Sequence, residues 1–260
     1  MRIFVITQEE ALHLPRFLDT FLAARGHDVC GLVILPELMP RTSWRQTLRD
    51  HLALYGVTGF LKLLIVYGVR RVLGTIQRWV PIPGVHAVGG VARRHGVPLY
   101  ETQSVNAPTF LAKLEQLAPD VVVSINASQK FGARLLALPR RGCINVHGAL
   151  LPRYRGRLPS FWVLANGEPE TGATVHFMNA DLDDGPIIRQ GRVDIVPTDT
   201  QHDVIRKTKA LGCRLLLEAL DLIEADRVVV FANDRRQATY YSFPTPEVAR
   251  RVRAARGRLI

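Results

Sequence analysis

An amide and an imidazole side chain stand two residues apart at the end of an apolar segment, in Asn145-Val146-His147. In a β-strand, side chains at positions i and i+2 point to the same face. Both groups are therefore predicted to converge at the carboxyl edge of a sheet, where α/β proteins bind ligands. An amide can donate to a developing oxyanion and an imidazole can move a proton, which suits acyl transfer. Taken alone, the pair is better explained as a polar strand end that satisfies nearby loops.

Two polar segments that follow this strand are able to complete a site. Residues 150–159 carry Arg153, Arg155 and Arg157 among prolines and a glycine, so this loop is predicted to wrap the site and present cations. A solvated loop is the alternative. Residues 182–186 (LDDGP) place a carboxylate in a tight loop between two predicted strands. From there it can reach a histidine, orient the ring and raise its basicity.

The elements that must position these residues alternate between strand and helix patterns. Before residue 150, the strands are predicted at Arg2–Thr7, Asp28–Leu35, Val97–Tyr100, Val121–Ile125 and Cys143–His147, and the helices at Glu9–Arg25, Pro108–Leu117 (capped by Asn106) and Phe131–Leu138. This alternation predicts an α/β fold with a mostly parallel, Rossmann-like sheet and helices on both faces.

The pattern changes after residue 150. We expect helices at Ser160–Ala165 and Thr200–Ala225, strands at Gly172–Met178 and Pro186–Ile195 with an antiparallel arrangement as one possibility, and a possible last strand at Val228–Phe231. The end, Glu247–Ile260, carries five arginines and is either a basic helix or a loose tail. We divide the chain into a catalytic domain at 1–200 and a helix with a basic tail at 201–260 that pack together.

Residues 36–83 do not fit the alternation and are interpreted as an insertion of two amphipathic helices. They hold seven Lys or Arg residues among many apolar ones. A lid or a dimerisation hairpin is the preferred interpretation, which makes a homodimer possible. A surface for an acidic substrate or a membrane is the alternative. Four glycines weaken a strong membrane helix, and no run approaches the ~20 apolar residues that span a bilayer.

Composition places the chain among globular proteins, with 47% apolar and 22% charged residues over 260 positions. The net charge of +11 favours anionic partners, although an arginine-rich solvated surface explains it equally well. The three cysteines are far apart, which fits reduced thiols in a cytoplasmic protein. The first residues form a strand pattern and not a signal peptide. No His/Cys spacing suits a metal ion.

The stretch INVHGALLPRYRGRLPSFWVLANGEPETGATVHFMNADLDDGPIIRQ closely resembles the folate-dependent formyltransferase superfamily. That superfamily includes glycinamide ribonucleotide transformylase, methionyl-tRNA formyltransferase and the amino-sugar N-formyltransferases. Several motifs match in the right order, and the resemblance extends over residues 100–195. It implies a formyltransferase fold and an enzyme that uses 10-formyltetrahydrofolate, without a metal, to formylate an amine.

The resemblance also implies roles for individual residues. Asn145 matches the asparagine that polarises the formyl oxygen, and His147 matches the histidine that stabilises the tetrahedral intermediate. Asp183 matches the carboxylate that orients the histidine; Asp184 stands in a position often occupied by other residue types. The pterin ring of the donor is expected against two segments, represented by Gln129, Lys130, Phe131, Met178, Asn179 and Asp181. Arg153 and Arg155 are expected to bind substrate. His176 is open between a site residue and a structural histidine.

Departures from the family pattern bear on the acceptor amine. The phosphate loop of the purine enzyme would follow the first strand, where this chain has Glu9 and Glu10, and phosphate requires open amides without nearby anions. Residues after the histidine resemble the sugar enzymes. Methionyl-tRNA formyltransferases add a C-terminal domain, and this sequence extends only to about where that domain would begin, which we expect to count against a tRNA substrate. We therefore expect a small amine, foremost a nucleotide-linked amino sugar. The alternatives are a tRNA substrate, with nucleic acid disfavoured but not excluded, and a non-catalytic folate-binding relative.

Overall fold

A computed structural model describes residues 1–36, 44–76, 80, 84 and 86–256. Nine strands and eight α-helices occur among these residues. In chain order they are β1 (Ile3–Gln8), α1 (Leu14–Arg25), β2 (Val29–Leu35), α2 (Trp44–Ile76), α3 (Val88–Arg94), β3 (Leu99–Tyr100), α4 (Pro108–Leu117), β4 (Val121–Ile125), α5 (Ala133–Ala137), β5 (Cys143–His147), β6 (Arg155–Gly156), α6 (Pro159–Ala165), β7 (Glu170–Phe177), β8 (Ile187–Asp194), α7 (Gln201–Glu224), β9 (Tyr240–Tyr241) and α8 (Pro246–Arg256).

Seven strands form one sheet in the order β3-β2-β1-β4-β5-β7-β8. The first five strands of that order are parallel, and β7 and β8 add an antiparallel hairpin. The mostly parallel sheet and the antiparallel hairpin are thus confirmed. The chain moves outward from β1 to β3 and then returns to place β4 on the other side of β1. In open α/β sheets, ligands usually bind at the carboxyl edge beside such a reversal.

Successive side chains of β1 enter two different cores, because residues of a strand alternate between its faces. Ile3 and Val5 pack with the buried faces of α1, α3 and α7. Phe4 and Ile6 pack on the other side with α4 and α5. Helices therefore cover both faces of the sheet, as the apolar strand patterns predicted.

Several boundaries differ from the sequence predictions for identifiable reasons. Helix α1 begins at Leu14 and not at Glu9, because Glu10 turns back to accept hydrogen bonds from the helix amides. Asn106 does not cap α4; its amide bridges to the backbone of Lys130 and Gly132 instead. The segment predicted as a last strand makes only an isolated bridge, between Phe231 and Ile187. Helix α3 and the small β6–β9 ribbon were not predicted.

The insertion is largely one long element. The two helices predicted in 36–83 correspond to the two parts of α2. These parts are separated at Gly56, whose φ of 67° and ψ of 177° are not helical. Residues 37–43, 77–79 and 81–83 of the insertion lie outside the described residues, as do 257–260 of the basic tail. Arg253 of α8 donates to the carbonyls of Leu52 and Ala53 at 2.9 and 2.6 Å, which the break deprives of helical partners.

Among the described residues, α2 is the element whose length and composition alone would allow it to cross a membrane, over Leu48–Ile76. The break at Gly56 divides this stretch of 29 residues into two helical parts. Core helices of soluble proteins often meet the same requirement, but they are mostly buried. Only 11% of the apolar window of α2 is buried.

Candidate active site

Asn145 and His147 lie at the carboxyl end of β5, where the parallel part of the sheet meets the β7–β8 hairpin. Their side chains share one face, and the antiparallel pairing places His176 of β7 directly opposite Asn145. His147 is buried and Asn145 is half-buried. Because β5 is a short apolar strand whose last residues are polar, the local sequence alone delivers both groups to the edge of the sheet.

Asp183 reaches the pair from the loop between β7 and β8. One carboxylate oxygen, Oδ1, lies 3.5 Å from Nδ1 of His147 and 3.5 Å from the amide nitrogen of Asn145. The other, Oδ2, accepts a hydrogen bond from the backbone N–H of Gly156 at 2.9 Å. Its backbone is left-handed, with φ at 52°, a conformation that Asp tolerates better than most residues. The predicted trio is therefore one contiguous cluster.

The environment of Asp183 keeps its carboxylate ionised. Burial on its own raises the pKa of the Asp183 carboxyl, but electrostatic attraction from the neighbouring imidazoles of His147 and His176 and the N–H of Gly156 outweigh it. The net effect is a pKa far below the usual range of an aspartate. A permanent anion at this point can orient the neighbouring imidazole and balance positive charge that develops on it.

The second ring nitrogen of His147 is also held. Its Nε2 lies 2.8 Å from the carbonyl oxygen of Tyr154, which can only accept. Both ring nitrogens therefore face acceptors, one a carbonyl and the other the carboxylate of Asp183. The ring orientation is defined from two sides, by the loop after β5 and by the loop after β7.

His176 belongs to the cluster as a support for Asn145. Its Nδ1 donates to the carbonyl of Phe177 at 2.8 Å, so Nε2 is left to accept from the Asn145 amide nitrogen at 3.2 Å. This arrangement fixes which end of the Asn145 amide carries its N–H groups. His176 is almost fully buried, which fits a structural histidine that orients its neighbour.

Arg155 does not lie where a substrate-binding arginine is expected. Its guanidinium is buried against the carboxylate of Asp184 at 2.5 Å and also contacts the side chain of Asn233 at 3.1 Å. Asp184 is itself buried and receives a second cation, Arg235, through Nε at 2.9 Å. In this position Arg155 secures the loop that carries Asp183, and its predicted contact with substrate stays a prediction.

Arg153 is exposed and forms an ion pair with Glu168, while its guanidinium also lies 5.3 Å from the ring centroid of Tyr154. Its predicted contact with substrate stays a prediction.

The residues predicted around the donor pterin mainly hold backbone segments in place. The side chain of Gln129 accepts from the N–H of Val105 and donates to the carbonyl of Gln103. Phe131 is buried in the core, where Met178 packs against the same cluster. Lys130 contributes its carbonyl to Asn106. The ring contacts predicted from the family resemblance remain a prediction.

The companion segment, Met178–Asp183, is braced in the same manner. Met178 donates its N–H to the carbonyl of Cys143 at 2.8 Å. The amide of Asn179 donates to Asp184 at 3.2 Å and accepts from the N–H of Asp181 at 3.0 Å. Asp181 also forms an ion pair with Arg235. A flat ring bound between the two segments would therefore meet rigid walls.

At the other end of the crevice, two carboxylates occupy the helix amides that could bind phosphate. Glu10 accepts from the N–H groups of Leu12, His13 and Leu14 at 2.6 to 2.9 Å. Glu9 accepts from the N–H of Val88 at 3.0 Å. The first turns of α1 and α3 are thus already paired with anions, which disfavours a phosphate at this place.

Sequence reasoning missed Asn233 and Arg235, which hold the Asp183 loop from about fifty residues away. Asn233 donates to the carbonyls of Asp183 and Gly185, both at 3.0 Å. The only signal in the sequence is the second aspartate of the LDDGP loop, which needs a cationic partner if buried. Among the described residues, no group of three or more His, Cys, Asp or Glu side chains is suited to a metal ion.

The sequence model of the formyl transferase family matches residues 81–220. The chain is 37% identical over 170 residues to the methionyl-tRNA formyltransferase of Trichlorobacter lovleyi, covering 65% of this chain and 52% of that protein. It is 42% identical over 148 residues to that of Anaeromyxobacter sp., covering 57% and 47%. The chain spans about half the length of the curated relatives it matches.

The fold is shared with solved structures at much lower identity. The N-formyltransferase of Helicobacter canadensis, solved with folinic acid and dTDP-3-aminofucose, superposes with a TM-score of 0.61 at 15% identity. The match covers 98% of this chain and 80% of that one. The agreement over nearly the whole chain concerns the fold.

Proposed function

The chain belongs to the formyl transferase family, and from this premise we propose that it transfers a formyl group from 10-formyltetrahydrofolate to a primary amine. The observation that carries the proposal is the convergence of Asn145, His147 and Asp183 at the carboxyl edge of the sheet. Each has the chemistry that acyl transfer requires: an N–H donor, a titratable ring and a fixed anion.

The reaction forms one C–N bond and breaks another. The lone pair of the acceptor amine attacks the formyl carbon, and negative charge develops on the formyl oxygen. Collapse of the tetrahedral intermediate breaks the bond to N10 of the folate, while a proton passes from the attacking nitrogen to N10. The products are the N-formyl amine and tetrahydrofolate.

Each member of the trio serves one part of this sequence. The side-chain amide nitrogen of Asn145 carries two hydrogens. One is donated to His176, and the other makes only a 3.5 Å contact with Asp183. The latter N–H is suited to donate to the oxyanion. The His147 ring stabilises the same charge and manages the proton, and the Asp183 anion supports the positive charge on that ring.

The residues around the trio are compatible with the folate donor. The braced segments Gln129–Phe131 and Met178–Asp183 offer two walls for the pterin, as the family resemblance implies. The related Helicobacter canadensis enzyme was solved with folinic acid, a formylated folate. The donor supplies the activated formyl group, and the chain supplies orientation and electrostatic stabilisation.

For the acceptor, we propose a small amine, foremost an amino sugar linked to a nucleotide. The Helicobacter canadensis structure contains such a sugar. Glu10 occupies the backbone amides of residues 12–14 after β1, and Glu9 occupies the first amide of α3, so a phosphate is disfavoured there and the nucleotide would bind elsewhere along the sheet edge. Methionyl-tRNA is a second candidate, favoured by the names of the curated relatives and by the net charge of +11.

Release of tetrahydrofolate from 10-formyltetrahydrofolate tests the donor half. His147→Ala and Asp183→Asn are expected to lower kcat by about a hundredfold to ten-thousandfold, the usual contribution of a positioned proton-transfer group. Asn keeps the shape and the left-handed backbone of Asp183 but removes its charge. The matched control is Asp194→Asn at the opposite end of the β7–β8 hairpin, which should retain activity. Wild-type rates in both site variants would rule out the assigned roles.

The acceptor half is tested by offering nucleotide-linked amino sugars, simple amines and methionyl-tRNA in parallel. The proposal expects a sugar or simple amine to have the highest kcat/KM, with little change as salt is added. A preference for methionyl-tRNA that weakens steeply with salt would support the second candidate, because neutralised phosphates release counterions. Folate binding without transfer to any amine would contradict the enzymatic proposal.

A further inference from the structure

The second part of helix α2, Val57–Ile76, exposes far more apolar surface than a folded chain normally leaves in water. Val57 and Ile65 are 66% and 65% exposed, and Val72 is 58% exposed. Exposed apolar positions of the helix also include Leu61, Leu64, Val66, Val69 and Ile76. A contiguous patch of this kind marks a surface that binds something.

The apolar residues are arranged on one side of the helix. At about 100° per residue, seven of the eight exposed side chains fall within an arc of roughly 140°: Val57, Leu61, Leu64, Ile65, Val69, Val72 and Ile76. We call this arc the apolar face of α2. Lys62 and Arg71, both exposed, fall just beyond its two edges at the same angular spacing. No acidic residue occurs from Val57 to Ile76.

Both ends of α2 are fastened to the same domain. Near its beginning, Ala53 and Leu54 pack with Ala249 and Val252 of α8. Near its end, Gly74 lies so close to Ala87 that an added Cβ would be 2.8 Å from it. Arg70, on the inner side, donates to the carbonyl of Ala11 at 2.9 Å. The helix therefore lies along the protein surface, and with this anchorage it cannot cross a bilayer.

From this geometry we infer that the apolar face of α2 docks on the surface of an anionic lipid bilayer. A helix held in this orientation can insert an apolar face to the depth of the headgroups, with cations at its edges paired to lipid phosphates. Charge favours this occupant over a second copy of the chain. A two-fold contact through the same face would bring Lys62 and Arg71 of one copy close to the like charges of the other.

A cavity at the beginning of α2 supports the same partner chemistry. It has a volume of about 540 Å³ and is lined by Leu48, Leu52 and Ala53 together with three arginines, Arg45, Arg49 and Arg250. Cationic groups above an apolar floor suit a phosphate headgroup with its acyl chains. Arg251 of α8 adds a further exposed cation beside this end.

Docking through α2 would also place the crevice next to the bilayer. Arg70 holds the loop between β1 and α1, which borders the carboxyl edge of the sheet. The opposite end of α2 packs with Phe161 in α6, which follows the loop that holds His147. An acceptor amine carried on a lipid or released at the membrane would then approach the site directly.

Co-sedimentation of the full chain with vesicles tests the inference without any assay of formyl transfer. Vesicles of phosphatidylcholine alone are compared with vesicles that also contain phosphatidylglycerol. We expect strong binding to the anionic vesicles, weaker binding to the neutral ones, and a decrease with added salt. A chain that stays in the supernatant with both vesicle types overturns the inference, whatever the enzyme activity.

Paired variants separate the apolar and the charged contributions. Leu61→Asp with Ile65→Asp should lower the partition coefficient at least tenfold. Lys62→Glu with Arg71→Glu should weaken binding to anionic vesicles by about fivefold for each cation removed, and leave binding to neutral vesicles unchanged. The matched control, Val229→Asp with Val230→Asp, changes two exposed valines outside α2 and should bind like the wild type.

Two further outcomes would contradict the inference. Equal binding by the Leu61→Asp/Ile65→Asp variant and the wild type would show that another surface meets the lipid. A lipid-free dimer that this variant dissociates, together with no vesicle binding by the wild type, would identify a second copy as the occupant. The charge variant keeps the apolar face intact, so it remains informative if the aspartates disturb folding.

Discussion

The two consecutive aspartates of the LDDGP loop have different surroundings: one lies in the proposed trio, and the other forms ion pairs that hold the loop in place. Asp183 points to His147 and Asn145, the other two members of the proposed trio. Asp184 points the other way, into a buried pair with Arg155 and a second contact with Arg235. The position of Asp183 in the proposed trio therefore depends on an ion-pair network formed by its neighbour, Asp184.

At the residue scale, Arg155→Ala and Arg153→Ala should differ sharply in stability. Arg155 is buried, so its removal leaves the Asp184 carboxylate with one cation fewer and should cost about 3 kcal/mol of the free energy of unfolding. Arg153 forms an exposed pair, and its removal should cost no more than about 1 kcal/mol. Urea denaturation of the two variants measures the difference. Equal costs would contradict a structural role for Arg155.

At the scale of elements, the loop between β7 and β8 is held by a close backbone approach. A Cβ on Gly185 would lie 1.8 Å from the carbonyl oxygen of Phe177. Asn233 clamps the same loop from the other side through the carbonyls of Asp183 and Gly185. The β7–β8 turn thus has no freedom to shift, and the position of Asp183 follows from it.

Gly185→Ala should therefore impair catalysis although the residue touches no substrate. The added methyl displaces the loop, which we expect to lower kcat about tenfold to a hundredfold and stability by about 2 kcal/mol. Gly68→Ala, with nothing within 4 Å, is the matched stability control. In that helix interior alanine should raise the free energy of unfolding by up to about 1 kcal/mol. An unchanged kcat in Gly185→Ala would show that the loop is compliant.

At the scale of the whole molecule, two helices from opposite ends of the chain meet through a pair of histidines. Nε2 of His13, before α1, lies 3.0 Å from Nδ1 of His202 in α7. Burial lowers the pKa of His13 from 6.5 to about 4. The negative charge of Glu10 acts in the opposite direction and raises this pKa, while His202, Lys209 and Arg70 lower it further. Burial likewise lowers the pKa of His202.

Stability should consequently fall on acidification. The unfolded chain takes up a proton at His13 near pH 6.5, whereas the folded chain resists until about pH 4. The contribution of the pair is thus fully present above pH 6.5 and is lost progressively as the pH decreases toward 4. Thermal melts across this range measure it.

Variants identify the source of that pH dependence. His202→Asn should flatten the decrease of Tm below pH 6.5, because the unfolded variant takes up fewer protons relative to the folded one. The matched control is His27→Asn, whose side chain is 75% exposed and which should keep the wild-type slope. If His202→Asn retains the full slope, other groups are responsible for the acid sensitivity.

The sequence by itself determined most of the sheet and the placement of Asn145 and His147 on one face of β5, because both depend on short-range patterns. Apolar runs bounded by turns located β4 and β5 to the residue, and the spacing of two within β5 placed Asn145 and His147 on one face. The carboxylate could be assigned through the family resemblance because its loop joins two neighbouring strands of the same hairpin. The periodicities of strands and helices extend over only a few residues, so they can be recognised in the sequence without knowledge of the tertiary structure.

Only the tertiary structure decided which charged side chains form buried ion pairs and which apolar surface stays exposed to solvent. Arg153 and Arg155 look alike in sequence, yet one is exposed and the other is buried, because Asp184 and the segment around Asn233 meet Arg155 after folding. Helix α2 likewise has the composition of a core helix. Packing covers its first turns with α8 and leaves Val57–Ile76 in contact with solvent, since burial depends on which distant segments arrive and not on local pattern.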